Sequence, residues 1–457
     1  MSPSEINFHV AIIGAGITGV VLALGLQARG VSYTVYERRS PAPQDRVSGA
    51  GIGFSPNAER AMAMVHPEVR AEFKRVATPN GEDLFQFVDG YTDNLLFALP
   101  VGKDSFLGGL RHDILNAWLK LVEGPIQYDK ELVNIVNRPG ERIVLQFKDG
   151  TMAEADTVIG CDGLHSRVRD LLYPEARANG ASKTTETRLG PRYTLKYCYR
   201  ALAPMPLAVD ALGQYRASTR FMYIGHGAHI ITYPVGKSEL LNVLVVLSEQ
   251  ETSTQRTGRS EGTSARGADD KNITFAFADW APRPRRAAAL LEDAREHQLR
   301  LRGPGGNNTD NDDRWLIFDM AEHPIPRYVL PGGQVCVAGD AAHATAPHLG
   351  AGGGMGVEDA LVLSELLGEV DRKIKGRRGM KEELVARALE SYHLARYNRT
   401  QEVIMMTRKA CDLFHWRDPE VSRDGEKFAA AIAPLFHRVW DFDLERMVKE
   451  ALARLDE

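Results

Sequence analysis

Gly14, Gly16 and Gly19 follow the apolar run His9–Ile13 in G-x-G-x-x-G spacing, and Glu37 closes the next apolar run, Tyr33–Tyr36. Gly14 permits a tight turn, Gly16 lets a pyrophosphate approach the backbone, and Gly19 lets helix and strand pack closely. The N-terminus of the helix that follows favours phosphate. A carboxylate about 20 residues past the glycines is placed to accept hydrogen bonds from ribose hydroxyls. These four residues read as a dinucleotide grip, which on its own leaves NAD and FAD open.

Two further stretches carry candidate ligand groups. "GCDGLHSRVRD" puts Asp162 at the end of a strand, with Ser166 and Arg169 on the helix behind it. That carboxylate can face a phosphate or ribose, or simply fold an Asx turn. "VCVAGDAAHATAPHLGAGGGMGVEDA" ends a strand in Gly339 and Asp340, then runs into Gly352, Gly353 and Gly354 at a helix start. Backbone N–H groups and the helix dipole there favour negative charge by about 0.3–1 kcal/mol. Asp340 can accept from a polyol. His343 and His348 flank the glycines, either as packed loop imidazoles or as a base. Arg200, in "KYCYRAL", and Tyr233, in "IITYPV", set a cation and a phenol on strands of a β-rich region. Each has a plain alternative, a domain-bridging arginine and a core tyrosine. The thirteen histidines are scattered, with no metal-ligand spacing and no Ser-His-Asp arrangement.

The elements that must hold these residues alternate in an informative order. A strand–helix–strand unit opens the chain, Arg111–Val122 has helical periodicity, and Ile143–Phe147 and Ala153–Ile159 read as strands. Between Tyr193 and Leu247 four β-rich runs divided by turns form a separate sheet. The expected architecture is α/β. A Rossmann-like nucleotide domain spans 1–190 and 315–380, with a mixed β-sheet domain inserted at 191–314 and a helical region at 381–457. The stretch 250–272 has almost no aliphatic residues and reads as a mobile loop.

With 457 residues, 44% hydrophobic, the chain can bury a large core. A net charge of −4 gives no support to a nucleic-acid role. Cys161, Cys198, Cys336 and Cys411 lie far apart and fit free thiols in a reducing cytoplasm. No uninterrupted apolar stretch is long enough for a membrane span.

Taken together, the three motifs and "GIGFSPNAERAM" resemble the single-component FAD-dependent aromatic monooxygenases. Within them the chain is most similar to the salicylate-hydroxylase-like branch, which includes fungal enzymes that hydroxylate phenolic polyketides, some with loss of aromaticity. The resemblance covers nearly the whole chain apart from the two polar insertions. It implies noncovalent FAD, with Gly14, Gly16, Gly19 and Glu37 at the ADP half, Ala50, Gly51 and Arg111 along the middle, and Asp340 on the ribityl chain. Asp162 joins the cofactor set, and Gly352 and Gly353 face the pyrimidine edge of the flavin ring. It implies NAD(P)H as reductant and O₂ as co-substrate, with oxygen delivered from a flavin hydroperoxide to an electron-rich ring. Arg200 and Tyr233 become the residues that activate a phenolic small molecule. Met355 stands where many members have Gln or Asn, and methionine cannot donate a hydrogen bond. The alternatives are a decarboxylating salicylate hydroxylase, a flavin oxidase, and a flavin-binding protein without turnover. The substrate, NADH against NADPH, and the oligomeric state are not legible in the sequence.

Overall fold

A computed structural model of the chain describes residues 8–41, 51–103, 105–174, 189–249, 273–302, 315–330, 333–375 and 380–457. The stretch 250–272, expected to be mobile, and Ala50 lie outside these residues.

Five strands form a wholly parallel sheet in the order Val335–Val337, Thr157–Gly160, His9–Ile13, Ser32–Tyr36, Ile126–Gln127. Helices cover such a sheet on both faces, so its strands are continuous apolar runs rather than alternating ones; Val10, Ile12, Val35, Val158 and Val337 are fully buried. The register places Tyr36, Ile13, Gly160 and Val337 side by side at the carboxyl ends of four neighbouring strands. Glu37, Gly14, Asp162 and Asp340 therefore leave the sheet along one edge, where open α/β sheets bind ligands. At about 4.8 Å per strand, that row spans about 14 Å.

A second sheet has seven strands, in the order Trp315–Asp319, Arg192–Pro204, Leu240–Ser248, Ala228–Val235, Arg220–Gly225, Leu84–Asp89, Leu95–Pro100. It reaches beyond the 191–314 range read from sequence. Leu84–Asp89 pairs parallel with Arg220–Gly225, and Trp315–Asp319 closes the other edge. Between the two sheets lies a ribbon, Gly51–Phe54 paired antiparallel with Leu107–Leu110.

The glycine run opens a helix at Gly352–Ile374, and Lys381–Phe414, Gly425–Trp440 and Leu444–Asp456 complete the helical region. Arg111–Leu119 is helical, slightly shorter than the periodicity suggested. All four cysteines are buried and free. No helix among the described residues is long and apolar enough to cross a membrane.

Candidate active site

The three fingerprint glycines do three different jobs. Gly14 has φ 103°, and a Cβ there would sit 2.6 Å from the Cys161 carbonyl oxygen. Gly19 has no room at all, since its Cβ would lie 2.0 Å from the Gly14 carbonyl oxygen. Gly16 is the opposite case. It is the N-cap of the helix Ile17–Ala28 and makes no side-chain cap. Its Cβ would meet nothing closer than Arg111 Nη2 at 4.0 Å. The backbone is thus packed on two sides and open at the helix N-terminus, as a pyrophosphate requires.

That N-terminus faces a cleft of about 830 Å³ lined by Gly14, Gly16, Glu37, Arg39, Arg111 and Asp162, among others. Glu37 accepts the Ala15 and Arg39 backbone N–H groups at 2.8 and 2.9 Å. A carboxylate has about four acceptor sites, so ribose hydroxyls can share it. Arg111 starts the helix Arg111–Leu119. Burial lowers the pKa of its guanidinium, while Asp340 and Glu37 pull the other way. It is the cation that faces both ends of the row of strand tips.

Asp162 is committed to its own helix. Its carboxylate accepts the Ser166 hydroxyl at 2.6 Å and the Arg167 and Val168 N–H groups at 2.6 and 3.1 Å. It lines the cleft, but these three bonds are those of a turn and cap. Asp340 begins the short helix Asp340–His343. Its carboxylate is reached by solvent yet hemmed in by protein. Desolvation raises its pKa against the opposing charges of His343, Arg111 and Arg169.

The glycine helix is held at close quarters. A Cβ on Gly353 would touch Ile52 and Phe54 of the ribbon at 3.1 Å, and one on Gly354 would touch Ala58 at 3.0 Å. Thr18 fills a notch that no local pattern announces. Its Oγ1 would stand 2.4 Å from a Cβ on Gly339 and 2.2 Å from one on Gly356. Gly51 donates its N–H to Asn242 Oδ1 at 3.1 Å, tying the ribbon to the second sheet.

Beneath this helix lies a buried charge network that the sequence motifs did not reveal. Arg396 donates to Glu358 at 2.5 Å, to Asp359 at 2.7 Å and to the Met355 carbonyl at 3.2 Å. Asp359 also accepts the Gly339 N–H at 2.8 Å and hydrogen-bonds His343 Nε2 at 2.5 Å. Asn57 donates to Glu358 at 2.7 Å. Burial would raise Asp359, but the charges of His343 and Arg396 outweigh it and hold the carboxyl well below its ordinary range. His343 is therefore a packed histidine that orients the Gly339–Asp340 turn. The Met355 side chain packs into the core beside Phe85 and Phe106.

Arg200 and Tyr233 share one face of the second sheet. Tyr233 pairs with Asn242 and Arg200 with Leu244, two residues along the same intervening strand. They stand two strands apart, about 10 Å across the sheet. The same face covers the glycine loop: Cys198 and Val246 pack with Ala346, and Met222 packs with Leu349 and Met355. Arg200 stacks on the Trp315 ring, its Cζ 3.9 Å from the centroid. Tyr233 is buried, with its ring against Gly108 of the ribbon, and burial pushes its hydroxyl up to about 12 against the opposing charge of Arg220. His348 is also buried, beside His229 with ring centroids 5.4 Å apart.

The match to known proteins bears on the same residues. Residues 9–92 fit the model of FAD dependent oxidoreductases, and residues 286–407 fit an FAD binding domain. The chain is 39% identical to the FAD-dependent monooxygenase pigN of Monascus ruber, over 98% of this chain and 97% of that one. It is 37% identical to the FAD-dependent monooxygenase azaH of Aspergillus niger, over 97% and 96%. The chain belongs to the FAD-dependent monooxygenases. A salicylate hydroxylase solved with substrate superposes with a TM-score of 0.77 at 26% identity, covering 98% of both chains. CtdE, solved with FAD and a substrate, shares the fold at a TM-score of 0.74 and 16% identity. FAD is thus the cofactor of this monooxygenase, with NAD(P)H and O₂ as the co-substrates of its family. The residues fit FAD: an open helix N-terminus for the pyrophosphate, Glu37 for the ribose, and Arg111 and Asp340 farther along the row. The second helix N-terminus, at Gly352, suits the electron-rich edge of the flavin.

Proposed function

We propose that this monooxygenase hydroxylates an electron-rich phenol of the resorcinol-like polyketide type in fungal secondary metabolism, and that hydroxylation removes the aromaticity of the ring for some substrates. The observation that carries the reading is the placement of Arg200 and Tyr233 on the single sheet face that covers the glycine loop. The bound flavin supplies reducing equivalents from NAD(P)H and activates O₂. The chain's own residues have a different task. Phenolate is a far better carbon nucleophile than phenol, so a useful site prefers the anion and excludes water. One unit of pKa lowering corresponds to about 1.4 kcal/mol of preferential anion binding, within reach of one well-placed guanidinium. In this reading Arg200, braced on Trp315, and Tyr233 hold the oxygens of the substrate. Glu37, Arg111, Asp340, Gly352 and Gly353 hold the cofactor. The protein works in the cytoplasm, where NAD(P)H is supplied.

Product mass spectrometry over a panel of phenolic aldehydes, ketones and acids tests this. The expected product gains one oxygen, and Arg200→Lys and Tyr233→Phe keep FAD and its reduction but release hydrogen peroxide in place of product. A planar two-pronged donor is not replaced by a point charge. Wild-type coupling in both variants refutes the roles of the pair. A second reading, decarboxylating hydroxylation of a salicylate, is favoured by the likeness to salicylate hydroxylase. It predicts loss of CO₂ with the gain of oxygen from the acids of the panel.

A further inference from the structure

His229, His348 and Cys411 come from three separate segments: the strand Ala228–Val235, the single turn Pro347–Leu349 ahead of the glycine helix, and the long helix Lys381–Phe414. All three are buried, at 1%, 5% and 0% exposure. One nitrogen of each imidazole and the thiol sulfur lie within 4.8 Å of one another. None of the three lines the cofactor cleft. No spacing in the sequence announces the group, because the chain supplies its members one segment at a time.

The donors are set as ligands. His229 Nδ1 lies 2.8 Å from His415 Nε2, and His415 Nδ1 lies 2.8 Å from Ser248 Oγ. With His229 Nδ1–H donating to His415, and His415 Nδ1–H donating to Ser248, the His229 Nε2 lone pair is free. Metal-bound histidines are oriented in this way, by a hydrogen bond from the other ring nitrogen. The His229 ring also meets Phe414 edge-on, with centroids 5.3 Å apart, which limits its rotation. His348 Nδ1 is buried with no hydrogen-bond partner among the described residues. Such an atom calls for an explanation, and a bound ion is one. Neutral imidazole is the ligand form, and burial lowers the pKa of both His229 and His348. The Cys411 thiol is free, and burial pushes it up to about 12 while the Lys196 charge pulls the other way. An arriving ion therefore displaces the thiol proton to solvent.

Two nitrogens and a sulfur, with no carboxylate, select a thiophilic ion over magnesium or calcium. At bond lengths of about 2.0–2.3 Å, tetrahedral nitrogen and sulfur ligands of zinc stand about 3.3–3.6 Å apart. The side chains thus have little distance to close. We propose that His229, His348 and Cys411 form a binding site for one thiophilic transition ion of the zinc class, with His415 and Ser248 orienting His229. The ion joins the second sheet, the glycine loop and the long helix, and water takes the fourth position, as where zinc has three protein ligands. Lys196, buried beside the group, cuts both ways: its charge favours the thiolate and repels the ion. The site is independent of which substrate the enzyme hydroxylates.

The test uses the FAD-loaded enzyme, freed of metal by a chelator and kept reduced. Its probe is Co²⁺, which occupies zinc sites and absorbs in the red, beyond the bands of oxidised flavin. The expected result is saturation at one Co²⁺ per chain, release of about one proton per ion, and loss of the red bands on adding Zn²⁺. His415→Phe is expected to weaken binding by about tenfold, and His229→Phe, His348→Phe and Cys411→Ser by more. Cys411→Ser should also abolish the proton release. Lys196→Met should tighten binding, and Cys336→Ser, which removes a buried thiol elsewhere, should leave it unchanged. If Cys411→Ser fails to fold, X-ray absorption at the zinc edge of wild type decides, with one sulfur neighbour expected. The proposal is overturned if Co²⁺ does not bind stoichiometrically, if any of the three ligand variants binds it as tightly as wild type, or if Cys336→Ser loses it. It is equally overturned if Lys196→Met weakens binding or if zinc in wild type has no sulfur neighbour.

Discussion

Arg396→Met is the substitution whose cost can be worked most directly. Arg396 is fully buried, and so are its partners Glu358 and Asp359. Burial alone would lower its pKa, but the two carboxylates outweigh that and hold the guanidinium firmly charged. Methionine fills much of the same volume without charge. It leaves Glu358 with Asn57 and a longer contact to Arg399 at 3.4 Å, and Asp359 with His343 and the Gly339 N–H. Removing one member of a buried ion pair costs about 3–5 kcal/mol, because the other charge stays behind. At about 2.1 cal/mol/K per residue, a chain of 457 residues has an unfolding entropy of about 1 kcal/mol/K, so Tm should fall by about 3–5 °C if it melts as one unit. The pH dependence gives the sharper check. Glu358 and Asp359 have folded pKa values below their ordinary ones. Their stabilisation is therefore present above about pH 4 and is lost as pH falls through the folded values. In the variant burial dominates and both carboxyls rise, so the gap to wild type should narrow as pH drops from 7 towards 4. Adding Glu358→Gln to Arg396→Met should recover at least about 1 kcal/mol by removing the stranded charge. Thermal and urea unfolding at pH 7, 5.5 and 4.5 measure all of this. A loss under about 0.5 kcal/mol at pH 7, the scale of a surface substitution, or a gap that does not change with pH refutes the account of the network.

Three further outcomes are expected. Glu37→Ala should raise the FAD dissociation constant about tenfold or more, since a charge-assisted hydrogen bond contributes about 1.5–3 kcal/mol; unchanged affinity by flavin fluorescence titration removes Glu37 from the site. Gly356→Ala should cost about 1–3 kcal/mol by forcing a methyl onto Thr18, and Thr18→Ala should restore most of it, because the obstructing Oγ1 is then gone. His229, pushed down to about 3 by burial and the nearby Lys196 charge, and His348 and His415, also lowered by burial, stay neutral in the folded state. Each stabilises the fold above its unfolded pKa of about 6.5, and that stability is lost as pH falls, by about 1.4 kcal/mol per unit. Urea titrations between pH 6 and 5 should show this slope reduced by about 1.4 kcal/mol per unit in His229→Phe; an unchanged slope means the imidazoles are not held neutral.

What the sequence made legible was the part of the fold where local chemistry is demanding. A strand buried on both faces must be an apolar run, so His9–Ile13 and Val335–Val337 were recognisable. A backbone that leaves no space for a Cβ must be glycine, so Gly14 and Gly19 were recognisable too. The second sheet was less so. Leu84–Asp89 and Leu95–Pro100 join it across more than a hundred residues of chain, a pairing set by how layers pack rather than by any pattern within the strands.

Asp162 and Arg220 mark where such reading stops, and for opposite reasons. Asp-x-x-x-Ser before a helix is the same sequence whether the carboxylate caps the helix or faces a ligand; only the bonds to Ser166, Arg167 and Val168 favour the cap. Arg220 carries no signal because its character lies in what surrounds it. Phe106, Phe85 and Tyr233 come from three separate segments, and the lack of a carboxylate partner among the described residues is not a motif. Arg200 was found from the resemblance and Arg220 from the packing, yet both stand on the face that covers the glycine loop. A family motif marks residues whose types recur at fixed spacing. A site that prefers an anion needs only a positive charge kept from water, and several strands of a sheet can present one. Arg200 stacks on the Trp315 ring and Arg220 is buried among three aromatic rings, so what separates two cations on one face is packing, which no spacing in the sequence records.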